Sequence, residues 1–363
     1  MFEHTSSDCL DIVRGLLACP TAPFREHNVR RFIEQFCTNR GICVQSDEMG
    51  NLIAAYGRGL SDSRLAFCAH MDHPGFIIAA DARGKTARAV FYGGVDEVYF
   101  KESRVRIFTD AGSVRAQVLS VRTDKALRRK YVRLRIDGPV RRGDIGMWDL
   151  PSCRIQNGRI VSRACDDLVG CAAVLALLDA LHRRRIRKKV VACFTAAEEA
   201  GLHGAKHLCL KGSVPKKTCL ISIETSAVLS TAKMDDGVVI RVGDKASIFD
   251  PQVTAFLLDT AVKLQKQNKP FRYQRKLMDG GTCEATVFSR FGYRCGALCI
   301  PLGNYHNRNM RTGRIGAESV STADFQNMLS LFVAAVKAAP MDTVARRPRY
   351  HIRKGDLGER VYE

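Results

Sequence analysis

Four apolar runs dominate the hydrophobic pattern, and each leads to a side chain able to carry chemistry. Leu65–Ala69 runs into His70, Val190–Ala197 into Glu198 and Glu199, and Leu220–Ile223 into Glu224. Ala297–Ile300 is followed a few residues later by His306. Short continuous apolar runs of this kind read as buried strands. The run Leu168–Leu178 is too apolar for a surface helix and is expected to pack under a sheet. Near the start, two helical patterns, around Leu10–Leu17 and Val29–Phe36, are separated by the breakers Pro20 and Pro23. Strand alternating with helix predicts an α/β fold, a sheet with covering helices.

Residues 79–157 follow another period. Val105 and Ile107, then Val114, Ala116 and Val118, then Val132, Leu134 and Ile136 alternate with Arg or other polar residues. Gly93-Gly94, Asp110-Ala111-Gly112 and Asp137-Gly138-Pro139 supply turns. Period two over several short runs predicts a compact all-β unit. The α/β pattern resumes at Ile160, so the β-unit reads as an insertion. The chain thus divides into a discontinuous α/β domain, 1–78 and 158–363, and an inserted β-domain, 79–157. The tail beyond Pro340, with Arg346-Arg347-Pro348-Arg349, is expected to be an exposed extension.

Adjacent carboxylates such as Glu198 and Glu199 repel and raise each other's pKa unless something uses them. A metal held by one, with the other free to take a proton from water, resolves the conflict. Sites in open α/β sheets collect at the carboxyl ends of strands, where these acids fall. The candidates for such a site are His70, Asp166, Glu198, Glu199, Glu224 and His306. Imidazole with carboxylate suits zinc, cobalt or manganese rather than calcium or an iron–sulfur cluster. Asp166 is suited to bridge two metals, and Asp72 is placed to take the other imidazole N–H of His70. The residues predict a metallohydrolase.

Composition narrows this little. The 14 cysteines are scattered without a Cys-x-x-Cys pair and read as buried, reduced thiols. No apolar run reaches the roughly 18 residues of a membrane span. The start, Met1-Phe2-Glu3-His4-Thr5, lacks the pattern of a secretion signal, so a cytoplasmic location is expected. The formal charge of +20 permits an acidic partner, but the densest basic run, His182–Lys189, reads as a solvated turn after a helix. With 7% aromatic residues and no recognisable motif, no nucleic-acid role is expected. His203 and His207 share the i,i+4 spacing of zinc helices, yet without a Glu at 204 a surface helix is the better reading.

His70-Met71-Asp72, Cys165-Asp166-Asp167, Glu198-Glu199-Ala200-Gly201-Leu202-His203-Gly204-Ala205, the acid at 224, Gly280-Gly281-Thr282 and His306 occur in one order. That order and spacing resemble the tetrahedral and glutamyl aminopeptidases, a family of dinuclear metallopeptidases, over nearly the whole chain. The insertion between His70 and Asp166 fits the tetrahedral members, in which a PDZ-like β-domain supports assembly. The resemblance implies a mixed sheet sandwiched by helices, zinc-exopeptidase-like, with an inserted small all-β domain, PDZ-like or barrel. It implies one metal site of His70, Asp166 and Glu224 and a second of Asp166, Glu199 and His306. Glu198 would be the general base, with Asp72 grouped with it as the residue that fixes the His70 ring.

From this follow two divalent metal ions per subunit, zinc first, with cobalt or manganese as alternatives. The expected activity is removal of N-terminal residues from peptides, in a homo-oligomer between dimer and dodecamer. Three positions depart from the family pattern: Glu224 stands for an Asp, His73 for a Glu, and Cys283-Glu284 for an Asp-containing string. An N-acyl amidase or deacylase of the same metal chemistry is the alternative, followed by a non-catalytic basic binding or assembly protein.

Overall fold

A computed structural model describes residues 6–57, 64–127 and 129–339. The tail beyond Pro340 and the start at Met1–Thr5, on which two expectations rest, lie outside the described residues. Four strands at the centre of an 11-stranded sheet, Val190–Thr195, Leu65–His70, Cys219–Ala227 and Cys295–Gly303, run parallel to one another. These are the four apolar runs of the sequence, and the first two are buried at every position. Antiparallel strands flank them: Leu52–Tyr56 on one side, Val238–Asp244 and Glu318–Ser321 on the other. Because the central strands share a direction, their carboxyl ends open on one edge of the sheet, where the chemical side chains gather.

Alternation along the strands assigns the two faces. Phe67, Val190, Ala192 and Phe194 pack against the helices Ser6–Ala18, Cys165–Arg183, Pro251–Gln267 and Thr322–Ala338. Ala66, Cys68, Val191 and Cys193 face the shorter helices His203–Lys211 and Glu284–Arg290. The sheet is therefore sandwiched by helices, as the family resemblance implies. Phe67 and Phe332 meet with ring centroids 4.7 Å apart; truncating either to Ala would cost about 3–5 kcal/mol. The cysteines carry no disulfide, and all but Cys19, Cys43 and Cys153 are buried. The basic run leaves the helix Cys165–Arg183, whose Arg183 bonds Asp179 and Asp8 at 2.8 and 2.6 Å. Lys188 Nζ caps the carbonyl of Ala339 at 2.6 Å.

Between the first and second halves of the sheet, six antiparallel strands close a barrel: Gly75–Ile78, Thr86–Tyr92, Arg129–Ile136, Gly112–Asp124, Arg104–Thr109 and Ile145–Trp148. Closure leaves no strand edge to aggregate. Phe76, Phe91, Phe100 and Trp148 fill it, with Phe76 edge-on to Trp148 at 4.8 Å. The hairpin Arg154–Gln156 and Arg159–Ser162 then rejoins the main sheet beside Glu318–Ser321. One barrel loop leans on the cleft: Ile315 packs on the barrel core, and Arg308 pairs with Asp96 at 3.5 Å. That contact brings Gly94 beside His306.

Candidate metal centre

His70 ends its strand, Glu224 lies within Cys219–Ala227, Asp166 precedes the regular part of its helix, and His306 sits in the turn Tyr305–Asn307. Four non-adjacent segments thus meet at one edge of the sheet. His70 Nε2 lies 3.6 Å from Asp166 Oδ1 and 3.8 Å from Glu224 Oε2. His306 Nε2 lies 3.5 Å from Asp166 Oδ2 and 2.8 Å from Glu199 Oε1. The two oxygens of Asp166 therefore face two different imidazoles. Three groups bring candidate ligand atoms within 4.8 Å of one another: His70, Asp166 and Glu224; Asp166, Glu199 and His306; and His70, Glu198 and Glu199.

Hydrogen bonds fix which nitrogen of each ring faces the cluster. His70 Nδ1 is 3.1 Å from the Asp72 carbonyl oxygen, and His306 Nδ1 is 3.2 Å from the Gly94 carbonyl oxygen. A carbonyl only accepts, so each Nδ1 carries a proton and each Nε2 points into the cluster. The Asp72 carboxylate is farther from the His70 ring, at 3.5 Å, than the Asp72 carbonyl. It instead accepts the backbone N–H groups of Glu198 at 2.9 Å and Glu199 at 3.0 Å.

Those two bonds belong to a longer series. Asn51 Oδ1 accepts from Ala196 N at 2.9 Å, and Glu26 Oε1 accepts from Ala197 N at 2.9 Å. Four consecutive amides, 196 to 199, are thus each taken by a buried side chain. The series holds Ala197 at φ 51°, a left-handed conformation costly for a residue with a Cβ. Gly204 lets the following helix approach, since a Cβ there would meet Asn51 Oδ1 at 2.4 Å.

Electrostatics follow from burial and crowding. Burial, eased by His70 and Arg241, pushes the Glu224 carboxyl up to about 8. Burial also lifts Glu198 well above its ordinary value, with His70 opposing and Glu199 adding to the rise. Asp166 goes the other way: burial resists, but His306 and His70 hold it well below the usual carboxylate range. Burial likewise resists the charging of His306, but Glu199 and Asp166 raise it well above the imidazole range. Glu224 Oε1 is nevertheless buried without a hydrogen-bond partner, and Glu199 Oε1 and His306 Nε2, 2.8 Å apart, meet as an ion pair out of hydrogen-bond alignment. Orphaned buried polar atoms are destabilising. These atoms, converging around a shared carboxylate, fit a divalent cation taking nitrogen and oxygen ligands.

The departures from the family pattern fall in different places. His73 lies behind the cleft, with Nδ1 2.6 Å from the Asp166 carbonyl oxygen and Nε2 2.9 Å from Asn307 Oδ1. It ties the two segments that carry Asp166 and His306. Cys283 lines the cleft, whereas Glu284 is fully buried beneath it, where burial pushes its carboxyl up to about 7. His203 is exposed, and neither it nor His207 belongs to the candidate metal groups.

The cleft beside the cluster has a volume of about 190 Å³. Arg241 is among its lining residues; it is only 3% exposed, its Nε has no partner, and its Nη1 is 3.4 Å from Ser226 Oγ. Sequence reasoning missed Arg241, Gly94, Glu26 and Asn51. Each acts through a contact far away in the chain, and no local motif marks it.

Comparisons with known proteins agree with this architecture. A family model described as M42 glutamyl aminopeptidase matches residues 50–322. Glutamyl aminopeptidase of Lactococcus lactis is 24% identical over 280 residues, 70% of this chain and 78% of that protein. An aminopeptidase structure from Desulfurococcus kamchatkensis superposes with a TM-score of 0.76 at 22% identity, covering 96% of this chain and 99% of that one. The TET1 peptidase of Pyrococcus horikoshii, which can assemble into a tetrahedron or a large octahedral shell, superposes at 0.74 with 22% identity, covering 90% and 99%.

Proposed function

The chain belongs to the M42 glutamyl aminopeptidase family and is an aminopeptidase, and we propose that it works with two divalent metal ions per subunit. His70, Asp166 and Glu224 would hold one, and Asp166, Glu199 and His306 the other. Zinc is the first choice, with cobalt or manganese as alternatives. The observation that carries this reading is the division of one buried carboxylate, Asp166, between two inward-facing imidazoles.

Such ions, when bound, supply Lewis acidity to the scissile carbonyl and lower the pKa of a water. The rest falls to the chain. Glu198 takes the proton of the attacking water and returns it to the leaving amine, and burial, which lifts its pKa, suits a group that must do both. Asp72 holds the Glu198–Glu199 backbone, and Glu26 the Ala197 amide before it, so that base and ligand stay apart in role. A cleft of about 190 Å³ favours a peptide end over a folded surface.

Arg241 names the N-terminal residue it would favour. A buried guanidinium with a free Nε, at the wall of a cleft with room for one side chain, is matched by a carboxylate. N-terminal Glu or Asp is thus the preferred class, in keeping with the name of the Lactococcus lactis relative. The inserted barrel would serve self-association, from dimer to dodecamer, as in the shells formed by the Pyrococcus horikoshii TET1 peptidase.

The test is a panel of aminoacyl anilides on metal-reconstituted protein, with wild type and Arg241→Met. The expected result is fastest cleavage of the glutamyl substrate and a loss of about 10- to 100-fold in its kcat/KM in the variant, the scale of one charge-assisted hydrogen bond. Preference for N-acetyl amino acids over free aminoacyl anilides would overturn the aminopeptidase mechanism in favour of a deacylase. A wild-type preference for apolar residues, unchanged in the variant, would remove only the role of Arg241.

A further inference from the structure

The barrel's outer face carries a charge pattern that the peptidase site does not use. Its strands Thr86–Tyr92, Arg129–Ile136 and Gly112–Asp124 lie side by side. Their inward positions, among them Ala89, Val132, Leu134 and Val118, fill the barrel core, so the alternate positions face solvent. Arg88 stands directly opposite Arg133, and both are exposed. Neither has an ion-pair partner among the described residues. Like charges directly opposed across a sheet are destabilising; a surface kept only for stability would carry the opposite sign at one of them.

The neighbours extend the pattern. Arg133 faces Ser120 on its other side, and Arg135 bonds Gln117. Tyr131 lies between Arg122 and Arg129, whose guanidinium carbons are 5.4 and 5.3 Å from its ring centroid. A bulge between Val118 and Ser120 turns Leu119 outward, 47% exposed. Of the carboxylates on these three strands there is one, Asp124, at the far end. The face is a twisted sheet of arginines with a tyrosine and a leucine among them.

We propose that this face binds single-stranded nucleic acid. Arginines at the spacing of adjacent strands meet successive phosphates, and apolar and aromatic groups between them receive bases. An acidic polypeptide would use the charge and leave Tyr131 and Leu119 without a role. A second copy of the same face is excluded by charge. The linear sequence hides the cluster because Arg88, Arg122 and Arg133 come from three separate strands; the expectation of no nucleic-acid partner rested on the low aromatic content, the lack of a motif and the run His182–Lys189, which lies elsewhere.

The experiment is fluorescence anisotropy of a labelled oligouridylate on the full, metal-loaded protein from 50 to 200 mM salt. Neutralising four phosphates gives a log–log slope of about −2.8, or roughly a 50-fold weakening across that range. Arg88→Gln/Arg133→Gln removes two contacts and should flatten the slope by about 1.4, while cleavage of a short anilide and the assembly seen by light scattering stay as in wild type. Arg185→Gln/Arg187→Gln, in the basic turn, should leave binding unchanged. The proposal fails if the barrel variant binds with the wild-type slope, if the turn variant shows the same loss, or if polyglutamate displaces the oligonucleotide as well as unlabelled oligouridylate does. It also fails if the barrel variant loses its assembly and keeps its binding, because the face is then a subunit contact.

Discussion

Asp72→Asn separates two accounts of one buried residue. By its spacing Asp72 should orient the His70 ring, but its carboxylate accepts the amides of Glu198 and Glu199 at 2.9 and 3.0 Å. Asparagine keeps the shape and replaces one acceptor oxygen by a donor. One amide then loses a charge-assisted bond worth about 1.5–3 kcal/mol, and a buried N–H left unpaired costs about 1–3 kcal/mol more. The strained turn at Ala197 has little else to spend against that loss. Glu199, whose Oε1 sits 2.8 Å from His306 Nε2, should shift, and the group Asp166–Glu199–His306 should lose metal affinity by about 10- to 100-fold. The group His70–Asp166–Glu224 should lose less, because the His70 ring donates to the Asp72 backbone carbonyl, which the substitution leaves in place. Titrating metal-free protein with zinc by calorimetry should therefore resolve one weakened step and one near wild type. Equal affinity at both steps, or weakening confined to the His70 group, would refute the reasoning.

Glu198→Gln should retain its metal by elemental analysis while kcat falls by at least about 100-fold, and Glu199→Gln should lose metal; the reverse pattern would exchange their roles. Burial raises the Glu284 carboxyl from 4.5 to about 7, so its contribution to stability is full below about pH 4.5 and is lost as pH rises to about 7. The loss is about 3 kcal/mol, and Glu284→Gln should abolish it, gaining on wild type in urea unfolding at pH 8 but not at pH 4.5. Parallel stability curves for the two proteins would show that Glu284 does not titrate in that window.

The apolar runs made the central strands legible because a parallel strand buried on both faces cannot hide its composition. Period two did the same for the barrel, where Val105, Ile107, Val132 and Leu134 all point into its core. Of the side chains that gather at the sheet edge, His70, Glu198, Glu199, Glu224 and His306 follow such runs and were readable, whereas Asp166 precedes a helix and follows none. What surrounds them was not. Glu26 meets Ala197, His73 meets Asn307, and Gly94 meets His306 across large separations in sequence. Arg241 sits in an apolar strand, Val238–Asp244, where one charge looks like an edge position until the cleft is seen. For Asp72 the position was right and the partner was not, because the backbone of Glu198 and Glu199 closes on it only in the folded chain.

The carbonyl of Gly94 gives the barrel a hand in the chemistry of a site to which it contributes no side chain. It holds the Nδ1 proton of His306 and so aims the ring, and the loop that carries it is pinned by Asp96 to Arg308. A chain shortened by its barrel would keep every residue of the cluster and lose the acceptor that aims one of them. Transplanting the cluster onto a barrel-free scaffold would therefore need a substitute for a single backbone oxygen, and any force that twists the barrel in an assembly reaches the imidazole through one peptide unit.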